Sequence, residues 1–527
     1  MNEEIEEYYE ELYRLYIDEN QPLERRYRQL RESLERVVRE KIQGNSLQTT
    51  DLAARINYVA TQYGLDLKEQ NQLHTFRLTS NDILNHRKSP VKEEFLRDLR
   101  AVAYAYRKMF AQDIPLKLFS VLPKQEIASS GKKEKMEYIR RIRVCFDYAD
   151  DTYLYVHPVD VIADEPIRVV YNKPGINHEF EETIKELWRY AQLNLLDVSV
   201  DRDGIYTPSF IVLEPDYLID ISSLAECYKD YGSHPANYFL SRLVPIDNAR
   251  PLLLGNIANL FLDEWIHAGE EEPDYIDCMK KAFRQYPIEL AACAELRDPS
   301  KEKEFAKDCR MHFEHIRDVV QHTFLEPGYN LDKKEAVLEP SYICEALGIQ
   351  GRLDYMQRDM SSFIEMKSGK ADEFSMQGKV EPKENNKVQM LLYMAVLEYS
   401  MGQDRRRMHP YLLYTRYPLL YPARASWAQV RRVINLRNRI VAAEYGVQFH
   451  NHPDFTRNLL AQINPEVVNE RKLSGRFWEQ YLKPSISRFR EKLSALEPLE
   501  QAYFYTLYNF ITKAVSYTHL RAHETLS

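Results

Sequence analysis

The chain has 527 residues, enough for about three domains at roughly 100–200 residues each. Its hydrophobic content of 44% can fill several cores, and its formal net charge of −9 excludes a polycation, so contact with nucleic acid would have to come from local basic clusters. No apolar run approaches the ~18–20 residues of a membrane span, and the acidic opening Met1-Asn2-Glu3-Glu4 has the wrong sign for a secretory leader. The six cysteines are scattered without a C-x-x-C pair, the usage of reduced core thiols, so the expected location is cytoplasmic with no membrane partner.

Residues 1 to about 115 are predicted to be helical, because Ile5, Tyr8, Tyr9, Leu12, Leu15 and Tyr16 recur at helical spacing with acidic residues between them. Thr50-Asp51 and the run Thr79 to Asp82 have the composition of N-caps for following helices. The aperiodic run Pro123 to Lys135 is a predicted linker, giving a helical N-terminal domain over 1–135. Its start, with Glu3, Glu4, Glu6, Glu7, Glu10 and Glu11, would repel phosphate and suits a protein partner better.

From 136 to 215 the period changes to two. Ile142, Val144 and Phe146 alternate with polar neighbours, and Tyr153–Val156, Val169–Tyr171 and Phe210–Leu213 are predicted strands. Asp147, Asp150 and Asp151 fit a polar hairpin turn, and one helix is predicted from Glu181 to Leu193. Helices then return, interrupted by a strand–turn–strand near 350–367. The expected fold class over 216–495 is α/β, a central mixed sheet flanked by helices.

Within that region the segment Phe363-Ile364-Glu365-Met366-Lys367 has strand alternation, which puts Glu365 and Lys367 on one face and Ile364 and Met366 on the other. Residues 357–362 can supply a turn that brings Asp354, on a preceding strand, beside them at one sheet edge. Two carboxylates and an ammonium are the groups that hold Mg²⁺ or Mn²⁺, activate a water and offset charge on an attacked phosphate. An E-x-K pair on its own is far more often an ordinary charged strand face.

Three ordered motifs change that balance: Gly351-x-x-Asp354, Glu365-x-Lys367 and Gln389-x-x-x-Tyr393. Together they resemble the RecB-type branch of the PD-(D/E)XK nucleases, and more closely the nuclease half of the replication nuclease–helicases that process flaps. The resemblance covers roughly 216–510 and is strongest over 338–400. It implies a restriction-endonuclease-like core with Asp354, Glu365 and Lys367 as catalytic residues. It also implies metal ligation by Asp354 and Glu365 with Glu339 assisting (Glu345 is the rival for that position), and substrate contact by Gln389 and Tyr393. The family's metal-binding histidine falls on Asn259, a weaker ligand. Cys227 lies where the iron–sulfur branch has its first cysteine, but no cysteine follows Cys344, so no cluster is expected.

Residues 405–439 hold nine arginines and no acidic residue, interleaved with Tyr411, Tyr414, Tyr417, Tyr421 and Trp427. Arginines bind phosphate and aromatics stack bases, so a single-strand channel is one reading and a solvated arginine face over core tyrosines the other. On the first reading Arg352, Arg416 and Arg431 join the substrate-binding set.

The run Leu496 to Phe504 resembles the helix that opens the helicase half of the same family. The expected domain over 496–514 is therefore the start of a superfamily 1 helicase, although no Walker A motif occurs in this sequence. Residues 515–527 resemble translated sequencing-adapter read-through. The expected function is a metal-dependent nuclease acting on single-stranded or flapped DNA in replication or repair. The alternative is a nuclease-fold module that grips single-stranded DNA and cuts it poorly or not at all.

Overall fold

The computed structural model describes residues 3–18, 20–42, 52–123, 138–160, 165–201, 203–243, 250–329, 331–374, 379–423, 426–450 and 452–524. Thr50-Asp51, all but Pro123 of the linker run, and Arg424 lie outside them. The chain divides into two compact units, residues 1–214 with 444–451 and 512–527, and residues 215–443 with 452–511.

The first unit opens with α1 (Glu3–Ile17), α2 (Leu23–Ile42), α3 (Leu52–Gln62), α4 (Leu67–Leu84), α5 (Lys92–Phe110) and the short α6 (Leu116–Phe119). Tyr9, Leu12, Tyr27, Leu34, Phe76, Phe95 and Tyr106 fill the core that these helices share. The run Thr79 to Asp82 does not cap a helix, because α4 passes straight through it. The cap of that helix is Asp66, which accepts from the Glu69 amide while the Glu69 carboxylate accepts from the Asp66 amide, a reciprocal capping box. Ser80 is buried inside α4 and donates to the Arg77 carbonyl, as a mid-helix serine commonly does.

Asp98, fully buried on α5, accepts hydrogen bonds from Tyr27 and Arg97. Burial outweighs Arg97 and holds its carboxyl up at about 6. Its folded pKa exceeds the unfolded value near 3.8, so the folded state binds the extra proton between those two pH values. This group's contribution is therefore greatest below pH 4 and is lost as pH rises through 6, by roughly 2–3 kcal/mol at most. In chemical denaturation, Asp98→Asn is expected to gain stability relative to wild type between pH 4.5 and pH 7.5. A difference between the two proteins that does not change with pH would refute this.

A small barrel follows, built from β1 (Tyr138–Ala149), β2 (Tyr153–Pro158), β3 (Ile167–Val170), α7 (Glu181–Lys185), β4 (Gln192–Val200), β5 (Tyr206–Thr207) and β6 (Phe210–Leu213). β1 pairs antiparallel with both β2 and β4, β2 with β3, β3 parallel with β5, and β5 with β4, so the ring β1-β2-β3-β5-β4 closes on itself. Closure removes the exposed strand edges that an open sheet of this size would carry. The predicted helix from Glu181 to Leu193 is only α7, because Gln192 and Leu193 already open β4 and pair with Cys145 and Val144. Two buried neighbours on the barrel outcompete helix propensity there.

The second unit begins with β7 (Ile219–Asp220), α8 (Ile221–Ala225), α9 (Ala236–Leu243), α10 (Arg250–His267), α11 (Tyr275–Gln285), α12 (Pro287–Ala292) and α13 (Pro299–Gln321). Then come β8 (Ala336–Leu338), β9 (Ser341–Cys344), β10 (Ile349–Arg352), β11 (Tyr355–Gln357), β12 (Ser362–Lys367), β13 (Asp372–Phe374) and β14 (Lys379–Glu381). The unit continues through α14 (Glu384–Met401), β15 (His409–Tyr414), β16 (Leu419–Pro422), α15 (Trp427–His450), α16 (Pro453–Ala461), α17 (Pro465–Val468), α18 (Lys483–Ser494) and α19 (Pro498–Glu524). The last turns of α15 and of α19 are grouped with the first unit.

The main sheet has the order β16-β15-β12-β11-β8 and is mixed: β12 and β15 run parallel, joined through α14, and the other pairs are antiparallel. Ile364, Met366, Tyr411 and Leu413 pack on one face against Ile257, Phe261 and Ile316 of α10 and α13. α14 covers the other face. A second, three-stranded sheet, β7-β10-β9, leads directly into Asp354. The unit is thus mixed α/β, with helices on both sides of its main sheet. No helix among the described residues is long and apolar enough to cross a membrane.

Candidate active site

Strand register, more than any single side chain, assembles the site. Tyr355 pairs with Leu338 on one side and with Ile364 on the other. In antiparallel pairing the next rung therefore sets Asp354 between Glu339 and Glu365. Asp354 itself lies between β10 and β11, and β12 is an interior strand, so the group sits at the ends of central strands and not at a sheet edge. The turn between β11 and β12 is fixed by Asp359, whose carboxylate accepts from both the amide and the hydroxyl of Ser361.

Glu339 has a left-handed backbone, φ 49°, uncommon for a residue with a Cβ. Its amide donates to the Asp354 carbonyl at 3.0 Å, and the Leu353 amide donates to Pro340 at 3.1 Å, which pins the kinked segment in place. The Glu339 carboxylate meets the exposed guanidinium of Arg352 at 3.1 Å.

Glu365, only 3% exposed, accepts through Oε1 from Lys367 Nζ at 2.9 Å and from Gln389 Nε2 at 2.7 Å. Its Oε2 is buried without a hydrogen-bond partner. Gln389 also donates to Ser222 Oγ at 3.1 Å, and Asp354 accepts from the Met366 amide at 2.6 Å. Burial, then the charge of Asp354, raises the Glu365 carboxyl well above the usual range, and Lys367 only partly offsets this. Asp354 is raised as well, by burial first, although it keeps some solvent contact. Burial pulls the Lys367 ammonium down, but Glu365 and Asp354 more than restore it.

The motif residues Asp354, Glu365, Lys367, Gln389 and Tyr393 thus meet in one place. Gln389 and Tyr393 turn inward: the buried Tyr393 hydroxyl donates to the Arg352 carbonyl at 2.5 Å, which fixes the end of β10 two residues before Asp354. Glu345 is exposed in the turn between β9 and β10, while Glu339 lies on the rung of Asp354. Asn259 is half-buried on α10.

The arginine stripe divides. Arg406, Arg407 and Arg432 are exposed and Arg416 is half-buried. Arg431 is buried, and Arg437 is fully buried among the Gly348 and Tyr217 carbonyls and Asn438. Tyr411 and Tyr414 are core residues, Tyr414 accepting from the Lys383 amide and Asn386. Arg405 stacks over Trp427 and pairs with Glu398. The stripe is therefore part scaffold and part exposed surface, because strand and helix periodicity turns some of any such run inward. All six cysteines are buried and free, and burial pushes the Cys227 thiol up to about 12.

Motif reading passed over one neighbour. Asp263 sits on α10 one helical turn beyond Asn259, and its carboxyl is held at about 6, by burial first and then by the charge of Glu339. The i, i+4 spacing from Asn259 was its visible signal. No protein-family model matches this sequence, and no curated protein is significantly similar to it.

Proposed function

We propose that the second unit is a metal-dependent deoxyribonuclease that hydrolyses phosphodiester bonds of single-stranded or flapped DNA. One observation carries this reading: a buried carboxylate, Glu365, is oriented by Lys367 and Gln389 yet keeps one oxygen without a partner, beside Asp354. An orphaned buried carboxylate oxygen is costly unless a ligand completes it. The donors are all hard oxygens, which fit Mg²⁺ or Mn²⁺. Among the described residues no three ligating side chains form a ready cage. Mg²⁺ takes one or two carboxylates and keeps several waters.

Asp354 and Glu365 would hold the ion, with Glu339 one rung away. The ion would polarise the phosphate and lower the pKa of a bound water. Lys367 would place positive charge where the phosphate accumulates negative charge. Gln389 and Tyr393 act as positioning residues, the first on Glu365 and the second on the Arg352 strand. Exposed Arg352, Arg406, Arg407 and Arg432, with Arg416 beside them in sequence, supply the phosphate contacts.

The test is incubation of the protein with end-labelled single-stranded and flapped DNA in Mg²⁺, Mn²⁺ or EDTA, beside Asp354→Ala. Cleavage that requires metal and disappears in the variant is expected. A second reading, a module that grips DNA without cutting, is favoured by Asn259 and by the inward-turned Gln389 and Tyr393. Tight binding without cleavage in either metal would select it.

A further inference from the structure

Exposed cations beside exposed aromatic rings, one reading of residues 405–439, occur together elsewhere in the second unit. Between Arg471 and Lys492 the chain carries seven basic residues against two acidic ones, Glu479 and Glu491. Arg471 pairs with Glu384 and Lys483 with Glu479, while Arg476 donates to Gln480. Lys472, Arg488, Arg490 and Lys492 are exposed and form no ion pair among the described residues. This stretch is locally positive on a chain whose net charge is −9.

Local structure turns two rings outward there. Pro484 has no amide to give the Gln480 carbonyl, and the helix widens into a π turn over Trp478–Leu482 just before it. Trp478 packs inward, edge-on to Tyr231, and Ile486 is buried about two turns further on. Phe477 and Tyr481 face the other way, 58% and 65% exposed, with ring centroids 5.8 Å apart and planes at 34°. Large aromatic rings normally bury, so an adjacent pair left in water among unpaired cations marks a contact surface.

The segment is also tied to the helix that serves the site. Arg471 meets Glu384 at 2.5 Å, and its amide donates to the Tyr231 carbonyl at 3.1 Å. Glu384 opens α14, and Gln389, roughly 8 Å further along that helix, donates to Glu365.

We propose that Phe477 and Tyr481 form a stacking subsite for the unpaired bases of single-stranded DNA, with phosphates held by Arg476, Arg488 and Lys492. Unpaired bases offer flat faces whatever their sequence, and free guanidinium and ammonium groups take the backbone between them. A duplex hides those faces, so only a single strand uses both features. The inference rests on the nuclease reading for the identity of the strand, but its test uses no cleavage.

The experiment is an anisotropy titration of the full chain with a labelled oligothymidylate and with a labelled duplex, in EDTA. Phe477→Ala/Tyr481→Ala is expected to weaken single-strand binding about 10-fold and to leave duplex affinity and melting temperature unchanged. Phe477→Trp/Tyr481→Trp should keep wild-type affinity, because indoles still stack. Arg488→Gln/Lys492→Gln should flatten the salt dependence of binding. Equal single-strand affinity in wild type and the alanine variant would overturn this inference alone. So would a loss shared equally by duplex and single strand, or a tryptophan pair as weak as the alanine pair. Absence of single-strand binding in wild type would overturn the inference and the nuclease reading together.

Discussion

Lys367→Met is expected to slow metal-dependent DNA cleavage at neutral pH by at least about 100-fold while tightening Mn²⁺ binding. The two effects have opposite signs because the ammonium plays opposed parts. At 2.9 Å from Glu365 it neutralises a carboxylate that an incoming cation would use, so its removal leaves the site more negative. In the proposed reaction it would place fixed positive charge where negative charge grows on phosphate, and methionine cannot replace that. Methionine keeps most of the aliphatic stem of this largely buried side chain, so packing changes little. Single-turnover cleavage and Mn²⁺ titration of the same preparation decide the matter. If cleavage and metal binding fall together, Lys367 is scaffold. If cleavage is unchanged, it has no part in the chemistry.

Arg437→Met should destabilise the second unit by roughly 3–5 kcal/mol, the largest stability effect expected of a single side chain here. Arg437, on α15, is 0% exposed and donates to the carbonyls of Gly348 and Tyr217 and to Asn438. Removing the guanidinium takes charge-assisted hydrogen bonds away from several buried acceptors at once. It also releases the small sheet, because Gly348 O accepts from the Ile219 amide at the parallel junction of β7 and β10. Gly348 is glycine for two reasons: its φ of +64° is left-handed, and a Cβ there would run into the Arg437 guanidinium. Lysine, with one compact ammonium, cannot span the same acceptors. Chemical denaturation of wild type, Arg437→Met and Arg437→Lys would measure this, and a loss below about 1 kcal/mol in both variants would refute it.

Strand alternation put Glu365 and Lys367 on one face, and i, i+4 spacing put Gln389 and Tyr393 on one helix face, before any tertiary contact forms. The meeting of the two pairs with Asp354 was expected only from the resemblance of the three motifs to a nuclease family. Local periodicity likewise determined the helical start and the two-residue period of the barrel strands. What the sequence could not carry was anything set by pairing between distant segments. Closure of the barrel depends on β3 finding β5, and the pairing of β4 with β1 claimed Gln192 and Leu193 from the predicted helix that began at Glu181. Register placed Glu339 and not Glu345 beside Asp354, a distinction that composition cannot make, since a one-residue slip inverts every face. Helix packing buried Arg437 away from solvent, because which arginines face water is settled only when α15 docks. Local periodicity put Glu365 and Lys367 on one face; long-range pairing and packing chose their neighbours.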